Sequence, residues 1–259
     1  MSNGKAIYKP SGKAREYAEW ACNLFVGCSN DCSYCYCKRG ALGSVMGRPQ
    51  ATLKQCFRSR QDALETFIRE LRRNADDIRR EGGLFFSFST DPCLPETLEL
   101  TVLCTMIATG MDIPCSILTK CTEWLSDEAA RLSLLAVKDM VAVGFTLTGH
   151  DEMEPGAATN EQRIEAMRQL HADGFRTFAS IEPVVSPTDS LEMFRRAGDA
   201  CDLFKVGLMS GIRKDYYDRS EVEAMYGAML ESGRRVFFKK SLTDYLGVPY
   251  AKSINIFSI

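Results

Sequence analysis

Five short apolar runs return along the chain: Leu84-Phe-Phe-Ser-Phe88, Ile113-Pro-Cys-Ser-Ile-Leu118, Met140-Val-Ala-Val-Gly-Phe-Thr-Leu147, Thr177-Phe-Ala-Ser-Ile181 and Leu203-Phe-Lys-Val-Gly207. Each is short and apolar almost throughout, the pattern of a strand buried on both faces in a parallel sheet. Between the runs, apolar residues recur at helical spacing: Leu64, Phe67, Ile68, Leu71 and Ile78, then Ile164, Met167 and Leu170, then Val222, Met225 and Met229. Thr159 with Gln162 and Ser220 with Glu223 have capping-box spacing, and Gly174 and Gly233 fall where those helices should stop. Taking Asn23-Leu-Phe-Val26 as a first strand gives six strand–helix units, with Val236-Phe-Phe238 as an extra strand. The expected fold class is therefore α/β, a curled or open parallel sheet with its helices outside. In such sheets chemistry collects at the carboxyl ends of the strands, so the residues just after each run are the candidates.

No repeat, low-complexity tract or Gly/Ser linker interrupts this pattern, so residues 1–259 are expected to form a single domain. Its core should span about residues 20–240, with segment 240–259 closing or capping it. A net charge of −2 gives the chain no overall attraction for a polyanion. His150 and His171 are the only imidazoles, which excludes a metal site built from several of them. The start, Met1-Ser2-Asn3-Gly4-Lys5, does not lead into a signal peptide, and no apolar run is long enough to span a bilayer. A cytoplasmic, reducing setting is expected, where the 11 Cys act as small hydrophobes or as metal and redox ligands.

One group of Cys stands apart. Directly after the expected first strand, residues 23–26, comes Gly27-Cys28-Ser-Asn-Asp-Cys32-Ser-Tyr-Cys35-Tyr36-Cys37. Thiolates at C-x3-C-x2-C spacing on a short loop can converge on one face of an iron–sulfur cube and leave its fourth iron open to an exchangeable ligand. Cys37 could instead complete a closed zinc or iron–sulfur site, although a single residue between Cys35 and Cys37 makes it hard for both to reach one centre.

Cys28-x3-Cys32-Ser-Tyr34-Cys35, placed after a first strand, is similar to the signature of the radical S-adenosylmethionine superfamily. More narrowly, four features resemble the spore photoproduct lyase or DNA repair photolyase branch: Tyr34-Cys35-Tyr36, Ser89-Thr-Asp-Pro92, Leu118-Thr-Lys120, and Glu154-Pro-Gly-Ala157 leading to Arg163. The resemblance covers about residues 20–210. It implies a partial (β/α)6 barrel of parallel strands with outer helices and an active site at the C-terminal ends of the strands. It also implies a [4Fe–4S] cluster on Cys28, Cys32 and Cys35 whose open iron binds S-adenosylmethionine. A one-electron donor such as flavodoxin or ferredoxin would trigger cleavage to a 5′-deoxyadenosyl radical. That radical abstracts hydrogen from a substrate, here unidentified, in lyase or oxidoreductase-type chemistry.

On this reading Tyr34 lies against the cofactor's adenine, and Ser89, Thr90 and Asp91 hydrogen-bond its amine or ribose. Lys120 would pair with its carboxylate, while Thr146 or Thr148 reaches it from the fourth strand and Glu182 binds ribose or substrate. Tyr36 matches a tyrosine of radical transfer in the branch. Glu154 and Arg163 are expected to pair, and His150 lies near enough to the strand ends for acid–base work. Cys22, Cys56, Cys104, Cys115, Cys121 and Cys201 show no ligand spacing and are read as packing.

The lyases carry a hydrogen-donor Cys just before the polar turn of strand two, where this chain has Phe86 or Phe88. An aromatic C–H does not give up hydrogen as a thiol does, so photoproduct repair is expected to be absent unless Cys93, the nearest replacement, or Tyr36 takes the catalytic donor's place. Two alternatives stay open: lyase-like DNA repair after all, or a non-catalytic zinc or closed iron–sulfur module.

Overall fold

The computed structural model describes residues 5–40, 43–213, 215–251 and 254–258; the leading Met1–Gly4 lies outside them. In chain order the strands are β1 (Ile7–Tyr8), β2 (Ala21–Cys22), β3 (Phe25–Val26), β4 (Thr52–Leu53), β5 (Leu84–Phe86), β6 (Cys115–Thr119), β7 (Val141–Thr146), β8 (Arg176–Val184), β9 (Leu203–Leu208) and β10 (Val236–Phe238). Eight of them form one sheet in the order β1-β2-β5-β6-β7-β8-β9-β10. Every pairing from β2 to β10 is parallel, and only β1 runs against its neighbour. Helices α1 (Gly43–Met46), α2 (Arg60–Arg80), α3 (Leu98–Thr109), α4 (Glu128–Leu135), α5 (Asn160–Ala172), α6 (Pro187–Ala197), α7 (Arg219–Glu231) and α8 (Lys240–Leu246) fill the connections.

The five apolar runs became β5 to β9, and Val236–Phe238 became β10. The expected first strand is displaced. Ala21–Cys22 enters the main sheet, while Phe25–Val26 pairs antiparallel with Thr52–Leu53 in a separate ribbon. Thr159 and Gln162 form a reciprocal capping box at α5. Ser220 does not cap α7; Asp218 does, accepting from the Ser220 N–H, so the helix begins two residues earlier than the Ser-x-x-Glu spacing suggested.

Alternation along each strand sends its residues to two different cores. Outward side chains such as Ile117, Val143, Phe145, Ile181, Phe204 and Val206 pack with the helix faces of Phe67, Leu71, Ile78, Ile164, Met167, Val222 and Met225. Inward ones make a second cluster, in which Ala21, Phe85, Ala142, Phe178, Leu203 and Phe237 meet from β2, β5, β7, β8, β9 and β10. Strands so far apart in the sheet share one cluster only because the sheet curls round on itself. Each large apolar side chain buried this way contributes about 1.5–3 kcal/mol.

The same cluster takes in Ile256, and Asn255 Nδ2 donates to the Gly82 carbonyl at 2.8 Å just ahead of β5. The C-terminal segment thus sits at the N-terminal end of the barrel. Farther along the strands the inward positions turn polar: Lys120, Thr146, Ser180, Glu182 and Lys239 line a cavity at the carboxyl ends. No helix among the described residues is long and apolar enough to cross a membrane.

Candidate active site

The cavity has a volume of about 480 Å³, and Cys28, Cys32 and Cys35 lie in its wall. The loop that carries them follows β3 and is clamped from three sides. Cys28 N–H donates to the Arg48 carbonyl at 2.9 Å, Ser33 N–H to Met153 at 2.9 Å, and Gly156 N–H to Asn30 at 3.1 Å. Two glycines make this approach possible. Gly27 has φ of +82°, and a Cβ there would lie 2.2 Å from the Gln50 carbonyl; a Cβ on Gly156 would lie 2.0 Å from that of Ser29.

All three thiols are free of disulfides, with Cys28 and Cys35 half-buried and Cys32 buried. Burial, then the nearby Asp91 carboxylate, pushes the Cys28 thiol up to about 12, and burial also raises Cys32. A hydrogen bond from Cys37 lowers Cys35 to about 6, while Cys37 itself is driven far upward. Cys37 is buried, and its sulfur lies 3.6 Å from the Phe88 carbonyl.

No three His, Cys, Asp or Glu side chains among the described residues converge closely enough to hold one metal ion. This is compatible with a cube, because each of its thiolates binds a different iron and the ligands are spread wider than around a single ion. The donor set fits such a cluster: Cys28, Cys32 and Cys35 are soft thiolate ligands on one loop facing one cavity, with Cys37 as a fourth thiol in the same wall.

Around the loop the structure divides the residues singled out from sequence. Lys120 ends β6 at the cavity with its ammonium 5.7 Å from the centre of the Tyr34 ring, and it has no salt bridge among the described residues. Burial would lower its pKa, but Cys32 and Glu154 outweigh that and the net shift is upward. The Tyr34 hydroxyl donates to Glu154 Oε1. Glu154 in turn pairs with Arg163 at 2.5 Å, and both side chains are completely buried. Arg163 also donates to the carbonyls of Thr146 at 2.6 Å and Ala158 at 2.7 Å.

Thr90 lines the cavity with a buried hydroxyl that has no partner. Thr146 lines it as well, whereas Thr148 is fully buried behind the wall and donates to Glu154 at 3.2 Å. Tyr36 stands at the mouth, its ring 58% exposed and its hydroxyl bonded to the Phe88 carbonyl.

Four candidates have other employment. Asp91 is buried and accepts four hydrogen bonds: Oδ1 from Thr119 Oγ1 (2.6 Å) and Cys93 N–H (3.0 Å), Oδ2 from Lys120 N–H (2.7 Å) and Asn30 Nδ2 (2.8 Å). Its carboxylate is used up in tying β5, β6 and the cysteine loop together. Ser89 donates its hydroxyl to the Phe25 carbonyl at 2.6 Å. Cys93 is not brought to the cavity; it lies in the core outside the barrel, 2% exposed, with burial holding its thiol well above the ordinary value. His150 lies between Glu152 (2.8 Å) and Asp189 (3.2 Å), away from the cavity wall.

Glu182 is at the cavity but already engaged. Tyr17 donates to its Oε2 at 2.8 Å, and the ammonium of Lys239, completely buried, binds the same oxygen. Since Tyr17 spends its proton on the carboxylate, Ser180, 2.6 Å away, donates to the tyrosine oxygen. Below them Lys205 donates to the carbonyls of Glu16 at 3.2 Å and Tyr17 at 3.0 Å. Burial, then the neighbouring Lys239, brings Lys205 down to about 7.

Tyr17, Ser180, Lys205 and Lys239, with Asn30 on the cysteine loop, are the residues that sequence reasoning missed. A lysine inside the apolar run Leu203-Phe-Lys-Val-Gly207 was the available signal, because an interior charge needs a partner. Nothing local marked Tyr17, which lies 165 positions from Glu182.

The profile of the Radical SAM superfamily matches residues 22–201. No curated protein matches the chain. Among solved structures, a mutant of spore photoproduct lyase superposes with a TM-score of 0.67 at 14% identity, covering 92% of this chain and 81% of its own. Spore photoproduct lyase complexed with dinucleoside spore photoproduct gives 0.65 at 14% identity, covering 89% and 80%. Streptococcus suis SuiB bound to S-adenosylmethionine gives 0.56 at 13% identity, covering 90% of this chain but 53% of SuiB.

Proposed function

The chain belongs to the radical S-adenosylmethionine superfamily, and from that premise we propose that Cys28, Cys32 and Cys35 carry its [4Fe–4S] cluster and that Lys120, Thr90 and Thr146 receive S-adenosylmethionine beside it. When bound and reduced by one electron, these cofactors supply a 5′-deoxyadenosyl radical able to abstract a hydrogen atom from a substrate. The observation that carries the reading is one cavity wall in which the free thiols of Cys28, Cys32 and Cys35, with Cys37 beside them, lie next to the Lys120 ammonium, which has no salt bridge among the described residues.

The chain's own residues divide the work. Lys120 offers its charge to a carboxylate, and Tyr34, fixed through Glu154 and Arg163, offers a flat apolar surface. Across the cavity, Glu182, Ser180 and Tyr17 present a polar wall to the substrate, with Lys239 behind them holding the carboxylate in place. The barrel keeps bulk water from the reacting centre on the side where Phe85, Phe178, Phe237 and Ile256 fill its interior. Cys37 is left outside the ligand set in this reading, as a hydrogen-bond partner of Cys35 whose sulfur also lies 3.6 Å from the Phe88 carbonyl. The electron would come from a flavodoxin- or ferredoxin-type donor in a reducing, cytoplasmic setting.

Anaerobic reconstitution tests the reading. Iron and sulfide should each approach about 4 per chain, and reductant should release 5′-deoxyadenosine. Cys28→Ala, Cys32→Ala and Cys35→Ala should each lose both properties, and Cys37→Ala should keep both. Loss of iron from Cys37→Ala as complete as from the other three would refute an open cluster in favour of a closed site.

A further inference from the structure

We infer that Asn30 is a cofactor-contacting residue whose carboxamide oxygen accepts a hydrogen bond from the α-amino group of S-adenosylmethionine. Asn30 occupies one of the three positions between Cys28 and Cys32, which the cysteine spacing leaves unspecified. It is 2% exposed and lines the cavity. Its amide orientation is fixed by its neighbour: Nδ2 donates to Asp91 Oδ2 at 2.8 Å, and a flipped amide would turn its oxygen, an acceptor only, onto a carboxylate oxygen and remove one of the four bonds Asp91 accepts. Oδ1 is therefore the atom left over, and it is buried with no partner.

A buried acceptor without a donor costs about 1–3 kcal/mol, and such atoms are rare enough that each calls for a physical cause. In the cavity wall two side-chain atoms among the described residues are in this state, Asn30 Oδ1 and Thr90 Oγ1. The complementary shortage is Lys120, a cation in the same wall that makes no salt bridge among the described residues. An unmatched acceptor and an unmatched ammonium on one surface complement a zwitterion, whose carboxylate suits Lys120 and whose amine suits Asn30. A carbonyl oxygen can only accept, so of the two ends of an amino acid it selects the one that carries N–H.

The assignment rests on the proposed function of the cavity, and a ligand-side comparison separates the two. Dissociation constants of S-adenosylmethionine and of its desamino analogue, in which hydrogen replaces the amine, are measured by anaerobic equilibrium dialysis with reconstituted wild-type, Asn30→Ala and Asn30→Ser proteins. The comparison forms a cycle between residue and ligand group, in which losses common to both ligands cancel. Asn30→Ala should weaken the natural cofactor about tenfold more than it weakens the analogue, the size of one charge-assisted hydrogen bond. Iron content should stay at the wild-type level in at least one variant.

A ratio of the two constants that is the same in wild type and both variants would mean that Asn30 serves only to hold Asp91, and would overturn the assignment. So would loss of iron from both variants, which would make Asn30 a part of the loop's scaffold. Wild-type protein that carries iron yet binds no S-adenosylmethionine would instead overturn the proposed function of the cavity.

Discussion

Replacing Arg163 with Met removes the charge at the centre of the barrel's buried polar wall while keeping most of the side chain's length. In the native protein the guanidinium is completely buried and supplies Glu154 at 2.5 Å, the Thr146 carbonyl at 2.6 Å and the Ala158 carbonyl at 2.7 Å. In Arg163→Met, Glu154 keeps only the hydroxyls of Tyr34 and Thr148, and both carbonyls lose their donor. Breaking a buried ion pair from one side costs about 3–5 kcal/mol, because the remaining charge cannot reach water. Against a total stability of about 5–15 kcal/mol that is a large fraction. For a chain of this size it corresponds to a Tm lower by roughly 6–20 °C.

The damage should reach the cysteine loop, since Ser33 and Asn30 are bonded to Met153 and Gly156 on the segment that carries Glu154. Anaerobic thermal and urea unfolding of the apo-protein, followed by iron content after reconstitution, gives both readouts. The control is Glu154→Gln added to Arg163→Met. If the stranded charge is the cause, neutralising it recovers part of the loss, so the double variant is more stable than the single. A single-variant loss below about 1 kcal/mol, or strict additivity of the two changes, would refute the argument.

Lys120→Met should leave iron unchanged and weaken S-adenosylmethionine about ten- to hundredfold in a dialysis assay, and Ser89→Ala, whose hydroxyl serves the Phe25 carbonyl, should leave that affinity alone. Lys205 has a folded pKa of about 7, below its ordinary 10.5, so between these values the unfolded chain binds more protons. Its destabilising effect is full below about pH 7 and fades as pH rises toward 10, and urea titrations across that window should show a rising slope that Lys205→Met flattens. An oligonucleotide bearing the spore photoproduct should yield no restored thymine, because Phe88 stands where the lyases have a donor thiol and Cys93 faces the core. Catalytic restoration that Cys37→Ser abolishes would reverse that expectation and make Cys37, in the cavity wall, the donor.

What could be read from the sequence was whatever neighbouring residues determine among themselves. Apolar runs such as Met140–Leu147 announce buried strands, and Cys28, Cys32 and Cys35 announce a cluster, because strand burial and ligand convergence are local properties of spacing. The α5 capping box is local in the same way. Strand phase and the curl of the sheet are not. Thr146 and Thr148 are equivalent in sequence, yet one lines the cavity and the other backs onto Glu154. Asp91 looked available for a ligand until Thr119 and Lys120, 28 and 29 positions away, were found to occupy it. Lys239 reaches Glu182 across 57 positions because curling the sheet sets β10 beside β9 and turns both side chains inward. Only the curled sheet decides which polar atoms meet one another and which are left for a ligand, since hydrogen bonds and ion pairs form between whatever groups the packing brings within about 3 Å, however far apart they lie along the chain.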